Sequence, residues 1–157
     1  MIADRARRGA ARPTRAWYGE TMSECLFCAI AAGAQKAEVI LERPGAIAFL
    51  DKYPAARGHA VVIPRAHAAT LVELGDEAVG DLFLGVKAVM RKVAAALRPV
   101  AMHVGWNHGR EAGQHVFHLH VHVLPRYADG GFGVQAVGTG GSRDEQSGGR
   151  EADHLAP

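Results

Sequence analysis

Three histidines, His118, His120 and His122, alternate with leucine and valine near the end of the apolar part of the chain. Successive side chains of a β-strand point to opposite faces, so this alternation predicts a strand with all three imidazoles on one face. The opposite face is expected to pack against a core and carries Phe117, Leu119, Val121 and Val123. At roughly 3.3 Å per residue, His118 and His122 would lie about 13 Å apart, too far to bind one metal ion together. Neighbouring pairs could chelate, but at least one ring must serve acid–base catalysis, phosphate contact or nucleophilic attack.

A second group with chemical potential is the pair Cys25 and Cys28, whose spacing lets two thiolates reach one tetrahedral zinc ion. The pair supplies half of such a site, and the best further donors are His67 and one histidine of the 118–122 segment. Two other interpretations stay open, namely thiols packed in a core and a redox pair. A redox pair of the thioredoxin type would be expected near a βαβ pattern, which the sequence lacks. Two cysteines this close are no secreted disulfide framework, which indicates a reducing compartment.

Amide donors flank the histidine segment, in Asn107-His108-Gly109 and in Gly113-Gln114. Such groups suit phosphate oxygens or ribose hydroxyls, although Asn and Gly are also the residues that a hairpin turn requires. No Walker-type loop and no Gly-x-Gly-x-x-Gly fingerprint opens a helix. A bound nucleotide would therefore be held by another arrangement.

Length and composition predict one soluble, cytoplasmic domain between two loose ends. The chain has 157 residues, of which 48% are apolar, and no apolar run approaches the roughly 18 residues that span a bilayer. Residues 1–21 hold five arginines against two acidic residues, while the remainder is almost neutral, with 13 basic and 14 acidic residues. We interpret 1–21 as a disordered basic extension, or an upstream start before Met22, and expect no specific nucleic-acid binding. Residues 138–157 are rich in glycine and alternating charges and are expected to be disordered, leaving a domain over 22–137.

The hydrophobic pattern predicts an α+β fold, with an antiparallel sheet and one long helix over 76–97. A short helix over 24–31, capped by Ser23, is expected to carry both cysteines. Strands are predicted at 39–41, 46–50, 59–64, 102–107 and in the histidine segment. The last two strands are expected to form a hairpin through a turn at 108–113.

Taken together, these motifs resemble those of the histidine triad (HIT) family of nucleotide hydrolases and transferases. His118 to Leu124 resembles the signature His-φ-His-φ-His-φ-φ, where φ is an apolar residue. Further similar segments occur in the order of the family and extend the resemblance over about residues 23–127: Cys25 to Ile30, Phe49 to Asp51, Gly58 to His67 and Asn107 to Pro125.

The resemblance implies a five-stranded antiparallel sheet with a long helix, and a homodimer whose sheets run together. It also implies cleavage of a phosphoanhydride or phosphoramidate at the α-phosphate of a nucleotide, usually a purine nucleotide such as a dinucleoside polyphosphate. His120 would be the nucleophile that forms a nucleotidyl-histidine intermediate. His122 and His59 would surround it, set its tautomer and contact phosphate. No catalytic metal is implied, and a structural zinc would be held by residues matching Cys25, Cys28, His67 and His118.

The same resemblance implies a nucleotide pocket. Its base and ribose contacts match Leu26, Phe27, Ile30, Phe49 and Asp51, and further nucleotide contacts match Asn107, Gln114, His115 and Val116. His115 departs from the family pattern, because much of the family has Ser or Thr there to assist the leaving group. Strand parity would place His115 on the face opposite the triad unless the strand bulges. A titratable group at this position could change the pH dependence or the choice of leaving group.

Two other functions compete with that of a nucleotidyl hydrolase or transferase. The first is a nucleotide-binding regulatory or scaffold protein with negligible turnover. The second is a metallohydrolase that uses His118 and His120 as catalytic zinc ligands.

Overall fold

The computed structural model describes residues 25–128, so the predictions for 1–21 and 138–157, and the Ser23 cap, lie outside the described residues. Within that range lie two helices, α1 (Leu26–Ala31) and α2 (Asp76–Leu97). The strands are β1 (Val39–Glu42), β2 (Ala46–Leu50), β3 (Ala60–Pro64), β4 (Ala101–Gly105) and β5 (Val121–Arg126). Short 3-10 turns occur at Leu71–Glu73 and Arg110–Ala112.

The five strands form one antiparallel sheet in the order β1-β2-β3-β5-β4, which confirms the predicted α+β class. The central strands are short and rich in Val and Ile, whose branched side chains suit a pleated surface buried on both faces. β1 and β4 form the two edges, and β1 is irregular between Val39 and Leu41.

Helix α2 covers one face of the sheet and has the bounds that the sequence predicted. Its apolar stripe, which buries Leu82, Val86, Val89 and Val93, packs against β3, β2 and β5. Gly85 lets the helix approach closely, because a Cβ there would stand 3.1 Å from the Cβ of Ala46. The helix ends at Leu97, and the next residue, Arg98, adopts the left-handed conformation (φ 48°) just before Pro99. None of the helices in the described range is long and apolar enough to cross a membrane.

The opposite face of the sheet carries α1 and a second apolar cluster, in which Phe27 and Ile30 pack on Phe49, Val61 and Ile63. Helix α1 begins at Leu26, two residues later than predicted, and Cys25 caps it by accepting the Cys28 N–H on its Sγ at 3.5 Å. Arg65 holds its other end, with Nη1 donating to the Ala31 carbonyl at 2.8 Å.

The histidine segment is shorter as a strand than predicted, because β5 begins only at Val121. Pairing with β3 stops at Val62 opposite Val121, and β3 ends at Pro64, which has no N–H to donate. Leu119 N–H donates instead to the Ala68 carbonyl at 2.7 Å. The predicted hairpin is confirmed, because β4 and β5 pair antiparallel, but its connection spans residues 106–120 and is longer than the expected turn at 108–113.

Candidate active site and metal centre

The three triad histidines still lie on one side of their segment, although only His122 belongs to a strand. Leu119, Val121 and Val123 pack in the cluster under α2, while His118, His120 and His122 are buried on the α1 side. The packing confirms the prediction of two faces for these six residues. Phe117, the fourth residue predicted for the apolar face, is also buried, and the Arg110 guanidinium lies 5.2 Å from its ring centroid. The even spacing expected from a regular strand is not kept, because the three rings turn toward different partners.

His118 turns toward the cysteine pair and completes a group of four metal-binding side chains. The ligand atoms of Cys25, Cys28, His67 and His118 all lie within 4.8 Å of one another. Cys28 Sγ is 3.2 Å from Nδ1 of His67, and His118 Nδ1 is 3.5 Å from both sulfur atoms. The two histidine donors named from the sequence are thus brought to the cysteines.

The chemistry of these four donors fits a tetrahedral zinc ion. Zn–S bonds of about 2.3 Å and Zn–N bonds of about 2.0 Å place sulfur and nitrogen roughly 3.5 Å apart around a tetrahedron. His118 Nε2–H donates to the Pro64 carbonyl at 2.9 Å, so Nδ1 keeps its lone pair for a metal. Burial lowers the pKa of His118 to about 4, whereas burial and Cys25 raise the pKa of the Cys28 thiol to about 11. A cation between the sulfurs would favour the thiolates, because its charge compensates theirs.

His120 is held in the opposite tautomer. Its Nδ1–H donates to the carbonyl of His118 at 2.7 Å, so the lone pair lies on Nε2. Burial lowers its pKa, against the raising effects of that hydrogen bond and of Asp51, and His115 lowers it further. The edge of the ring meets Phe27 at a centroid distance of 5.2 Å. The site therefore contains a neutral, positioned imidazole with a free nitrogen.

A chain of hydrogen bonds orients His122 as a donor. The Ala55 N–H points to His59 Nδ1 at 3.3 Å, which places the His59 proton on Nε2. His59 Nε2–H then donates to His122 Nδ1 at 2.9 Å, leaving the neutral His122 ring with its proton on Nε2. Burial, with smaller effects of His120 and His59, lowers the pKa of His122 to about 3. His120 and His122 are adjacent, with ring centroids 5.0 Å apart, and present a lone pair and an N–H respectively.

Asp51, His59 and His122 also offer ligand atoms within 4.8 Å of one another. The Asp51 carboxylate lies 3.6 Å from His59 Nε2 and accepts the Tyr53 N–H at 2.8 Å. A metal here would have to displace the proton of His59 Nε2, and the Ala55 N–H opposes its transfer to Nδ1. The hydrogen bonds therefore favour an acid–base and anion-binding role for this group.

The residues expected to contact the nucleoside lie beside His120. Phe27 and Phe49 form an edge-to-face pair at 5.5 Å, and Ile30 packs in the same cluster with Val116 at its margin. Leu26 is about half exposed at the start of α1. Asp51 follows β2, between this apolar wall and His59.

The loop before the triad separates residues that face the site from residues that support it. Gln114 is buried and its side chain is used inside the protein: Nε2 donates to Ala69 and Val116 carbonyls at 2.7 and 3.1 Å, and Oε1 accepts the Gly109 N–H at 2.9 Å. The side chain therefore supports the loop, and the expected nucleotide contact of Gln114 stays a prediction. Asn107 Nδ2 donates to the Gly113 carbonyl at 3.1 Å. His115 lies outside any strand, so the parity expectation does not apply; it is exposed, and its charge acts on His120.

One histidine near the site was missed by the sequence interpretation. His103, in β4, lies close enough to His122 that its charge lowers the pKa of that ring, after the larger effects of burial, His120 and His59. His103, Gly105 and Asn107 alternate in sequence, and the same parity that marked the triad could have placed them on its face.

The HIT-domain family model matches residues 32–129, which contain the triad and His59. A fission yeast (Schizosaccharomyces pombe) adenosine 5'-monophosphoramidase is 39% identical over 102 residues, covering 65% of this chain and 74% of the relative. The chain belongs to the HIT family.

Solved structures of HIT proteins share the fold. A HIT-family protein of Bacillus subtilis superposes with a TM-score of 0.67 at 37% identity, over 71% of this chain and 79% of that one. A zinc-bound histidine triad protein of Mycobacterium smegmatis gives a TM-score of 0.67 at 30% identity, over 74% and 85% of the two chains. HIT proteins are nucleotide-binding hydrolases and transferases, which is the functional class that the sequence motifs implied.

Proposed function

We propose that this HIT protein cleaves phosphoanhydride or phosphoramidate bonds at the α-phosphate of purine nucleotides, such as dinucleoside polyphosphates, through a nucleotidyl-His120 intermediate. The observation that carries the proposal is the pair of tautomers described above. His120 has its lone pair on Nε2, and the adjacent His122 has its proton on Nε2. A nucleophile and a hydrogen-bond donor are thus held side by side without the need for a catalytic metal.

In the first step, His120 Nε2 attacks the α-phosphorus, and a nitrogen–phosphorus bond forms as the bond to the leaving group breaks. His122 Nε2–H donates to the reacting oxygens, where negative charge develops. In the second step, water or another acceptor attacks the same phosphorus, breaks the nitrogen–phosphorus bond and restores His120. His59 is a positioning residue, because its Nε2–H donates to Nδ1 of His122 and so keeps the His122 proton on Nε2.

The apolar wall of Phe27, Ile30 and Phe49 would bind the purine base beside His120. Asp51 has a carboxylate oxygen within the same region, suited to the hydroxyls of a ribose. Asn107, Val116 and His115 lie in the loop that precedes the triad and would contact the ribose and phosphate. In this arrangement the base would lie near β2 and the phosphates would lie near β5.

The test is alkaline denaturation of the zinc-loaded protein during turnover of a dinucleoside tetraphosphate, which preserves the acid-labile nitrogen–phosphorus bond, followed by mapping of the labelled residue at alkaline pH. We expect a nucleotidyl group on His120, and a His120→Gly variant that binds nucleotide but loses at least ~10³-fold in turnover, as expected when a covalent route is removed. His108→Ala, which removes an exposed histidine of the same loop, is the matched control. Label on another residue, or near wild-type rates in His120→Gly, would contradict the mechanism.

A scaffold protein would bind nucleotide without forming the covalent intermediate, so the same single-turnover labelling separates the two functions. The metallohydrolase alternative is disfavoured by geometry. Among the described residues, the metal-binding group that includes His118 does not include His120, whose Nδ1 is bound to a backbone carbonyl.

We further propose that Cys25, Cys28, His67 and His118 hold one structural zinc ion. The support is the separation of the donors, the unprotonated Nδ1 of His118 that faces both sulfur atoms, and the zinc-bound state of the M. smegmatis relative. Bound there, zinc would cross-link α1 to the segment before β5. It would also fix the carbonyl of His118, which is the acceptor for His120.

A homodimer is proposed through the edge strand β4. The β1 edge is irregular, and Lys92 Nζ donates a hydrogen bond to the Ile40 carbonyl of this strand at 2.7 Å. β4 is regularly paired on one side only within the described residues, and Trp106 follows it with 38% of its surface exposed. An open, regular edge beside an exposed aromatic side chain suits pairing with a second copy.

A further inference from the structure

His103 lies on the edge strand β4, on the face of the sheet that carries the active site. The register pairs Gly105 with His122 and His103 with Leu124, and paired residues of antiparallel strands point to the same face. His103, Gly105 and His122 therefore share one face. His103 is half-buried there.

The imidazole of His103 leans along the strand over Gly105. A Cβ on Gly105 would stand 3.1 Å from Nε2 of His103, so the polar end of the ring occupies the space that glycine leaves. Gly105 is directly opposite His122, and paired Cβ positions are about 5 Å apart. The nitrogen of His103 is thus placed about one strand spacing from the ring of His122.

The order of strands gives the site a direction. The nucleoside contacts lie on β2 and α1, His59 precedes β3, His122 is on β5 and His103 is on β4. His120 precedes His122 in the chain, whereas His103 is paired with Leu124, beyond His122. An in-line attack by His120 expels the leaving group on the side away from its own nitrogen. With the proposed nucleoside contacts on β2 and α1, β4 is the strand that lies beyond His122 in the sheet, and we take it as the side of the leaving group.

We propose that His103 binds the phosphate that follows the α-phosphate, so that the site selects polyphosphate leaving groups over amines. The inference rests on the proposed function and names its preferred substrate class. An imidazole donor beside His122 would hydrogen-bond the charged oxygens of a leaving nucleoside polyphosphate. The amine released from a phosphoramidate has no oxygen to place there.

The experiment compares two substrates with the same adenylyl group, a diadenosine tetraphosphate and an adenosine 5'-phosphoramidate, in the full zinc-loaded chain. Because kcat/KM reports the step in which the leaving group departs, His103→Asn should lower it about tenfold for the polyphosphate and less than about twofold for the phosphoramidate. His108→Gln, at an exposed histidine, should change neither. Gly105→Ala, which must push the His103 ring aside, should reproduce part of the selective loss.

Equal losses on both substrates would show that His103 only supports the fold, and no loss on either would show that it contacts neither; both results overturn the proposal. Titration calorimetry with AMP and ADP gives a reading that does not depend on turnover. His103→Asn should abolish any advantage of ADP over AMP while leaving AMP affinity unchanged. If the wild type turns over neither substrate, the proposed function fails, and the AMP–ADP comparison still decides the role of His103.

Discussion

At the scale of single residues, the position of the ring proton distinguishes histidines that the sequence presents as equivalent. His118 donates from Nε2 to the Pro64 carbonyl, which leaves Nδ1 for the proposed zinc ion, whereas His120 donates from Nδ1 to the His118 carbonyl, which leaves Nε2 for the proposed attack. His122 accepts on Nδ1 from His59. One backbone carbonyl or one neighbouring ring decides each role, since a neutral imidazole has a single proton.

The burial of His122 as a neutral ring predicts acid-sensitive stability. Its pKa is lowered from 6.5 to about 3, so the unfolded state binds the proton more readily, and the free energy of unfolding should fall as the pH drops from about 6.5 toward 3. In urea unfolding between pH 7.5 and 5.5 with excess zinc, His122→Gln should show a smaller pH-dependent loss than the wild type. His108→Gln should retain the wild-type slope. Parallel slopes for the wild type and His122→Gln would contradict this assignment.

At the scale of elements, α1 requires a tertiary anchor because it has only six residues, fewer than an isolated helix needs to be stable. Phe27 and Ile30 bury its inner side, Arg65 binds its last carbonyl, and the Cys/His group lies at its beginning. The same helix supplies Phe27 to the wall beside His120. Its position therefore connects the proposed zinc site to the proposed nucleotide pocket.

This connection predicts that loss of the metal destabilises the protein more than it slows the chemistry. The protein purified without chelators should contain one zinc per chain. Cys25→Ser should lower the unfolding free energy by roughly 2 kcal/mol or more, since metal-binding energy adds to folding energy. The single-turnover rate at saturating nucleotide should fall by a smaller factor, because His120 remains. Metal analysis that finds no zinc, or a Cys25→Ser variant as stable as the wild type, would rule out the structural site.

At the scale of the whole molecule, the sheet formed by residues 25–128 has a regular edge that is unpaired within this range and can extend. β4 is that edge, and His103 lies on it, so a second copy would extend the sheet beside the proposed leaving-group site. The expectation that residues 22–137 form the active domain stays a prediction. The family match over 32–129 lies within that range.

The dimer prediction is tested by sedimentation at several protein concentrations. We expect the wild type to sediment as a dimer, and Trp106→Glu to weaken association at least ~10-fold, because a charge would replace an aromatic side chain at the interface. Val72→Glu is the control, because Val72 is 81% exposed in the short turn at Leu71–Glu73, away from β4. A wild type that sediments as a monomer at tens of micromolar, or equal weakening by both substitutions, would contradict the β4 interface.

Periodicity in the sequence determined the elements whose side chains repeat against one surface. The stripe of Leu82, Val86, Val89 and Val93 predicted α2 with its observed bounds, and the alternation around Leu119 predicted which side of the histidine segment is buried. Spacing and residue type predicted a metal site at Cys25 and Cys28, with His67 and one histidine of the 118–122 segment as further donors, whereas the choice of His118 came from the resemblance to the HIT family. These features depend on local geometry, which the sequence encodes directly.

Tertiary structure decided what depends on a distant partner. Strand β5 begins only after His120, at Val121, because β3 ends at Pro64, whose carbonyl accepts a hydrogen bond from the His118 ring instead of continuing the ladder. The Gln114 side chain supports the loop before the triad because its amide donates to the Ala69 carbonyl, 45 positions away in the chain. His103 joins the site only because β4 pairs with β5 in a register that sets Gly105 opposite His122. Such register and hydrogen-bond choices are fixed by contacts between segments far apart in the chain, and no local pattern records them.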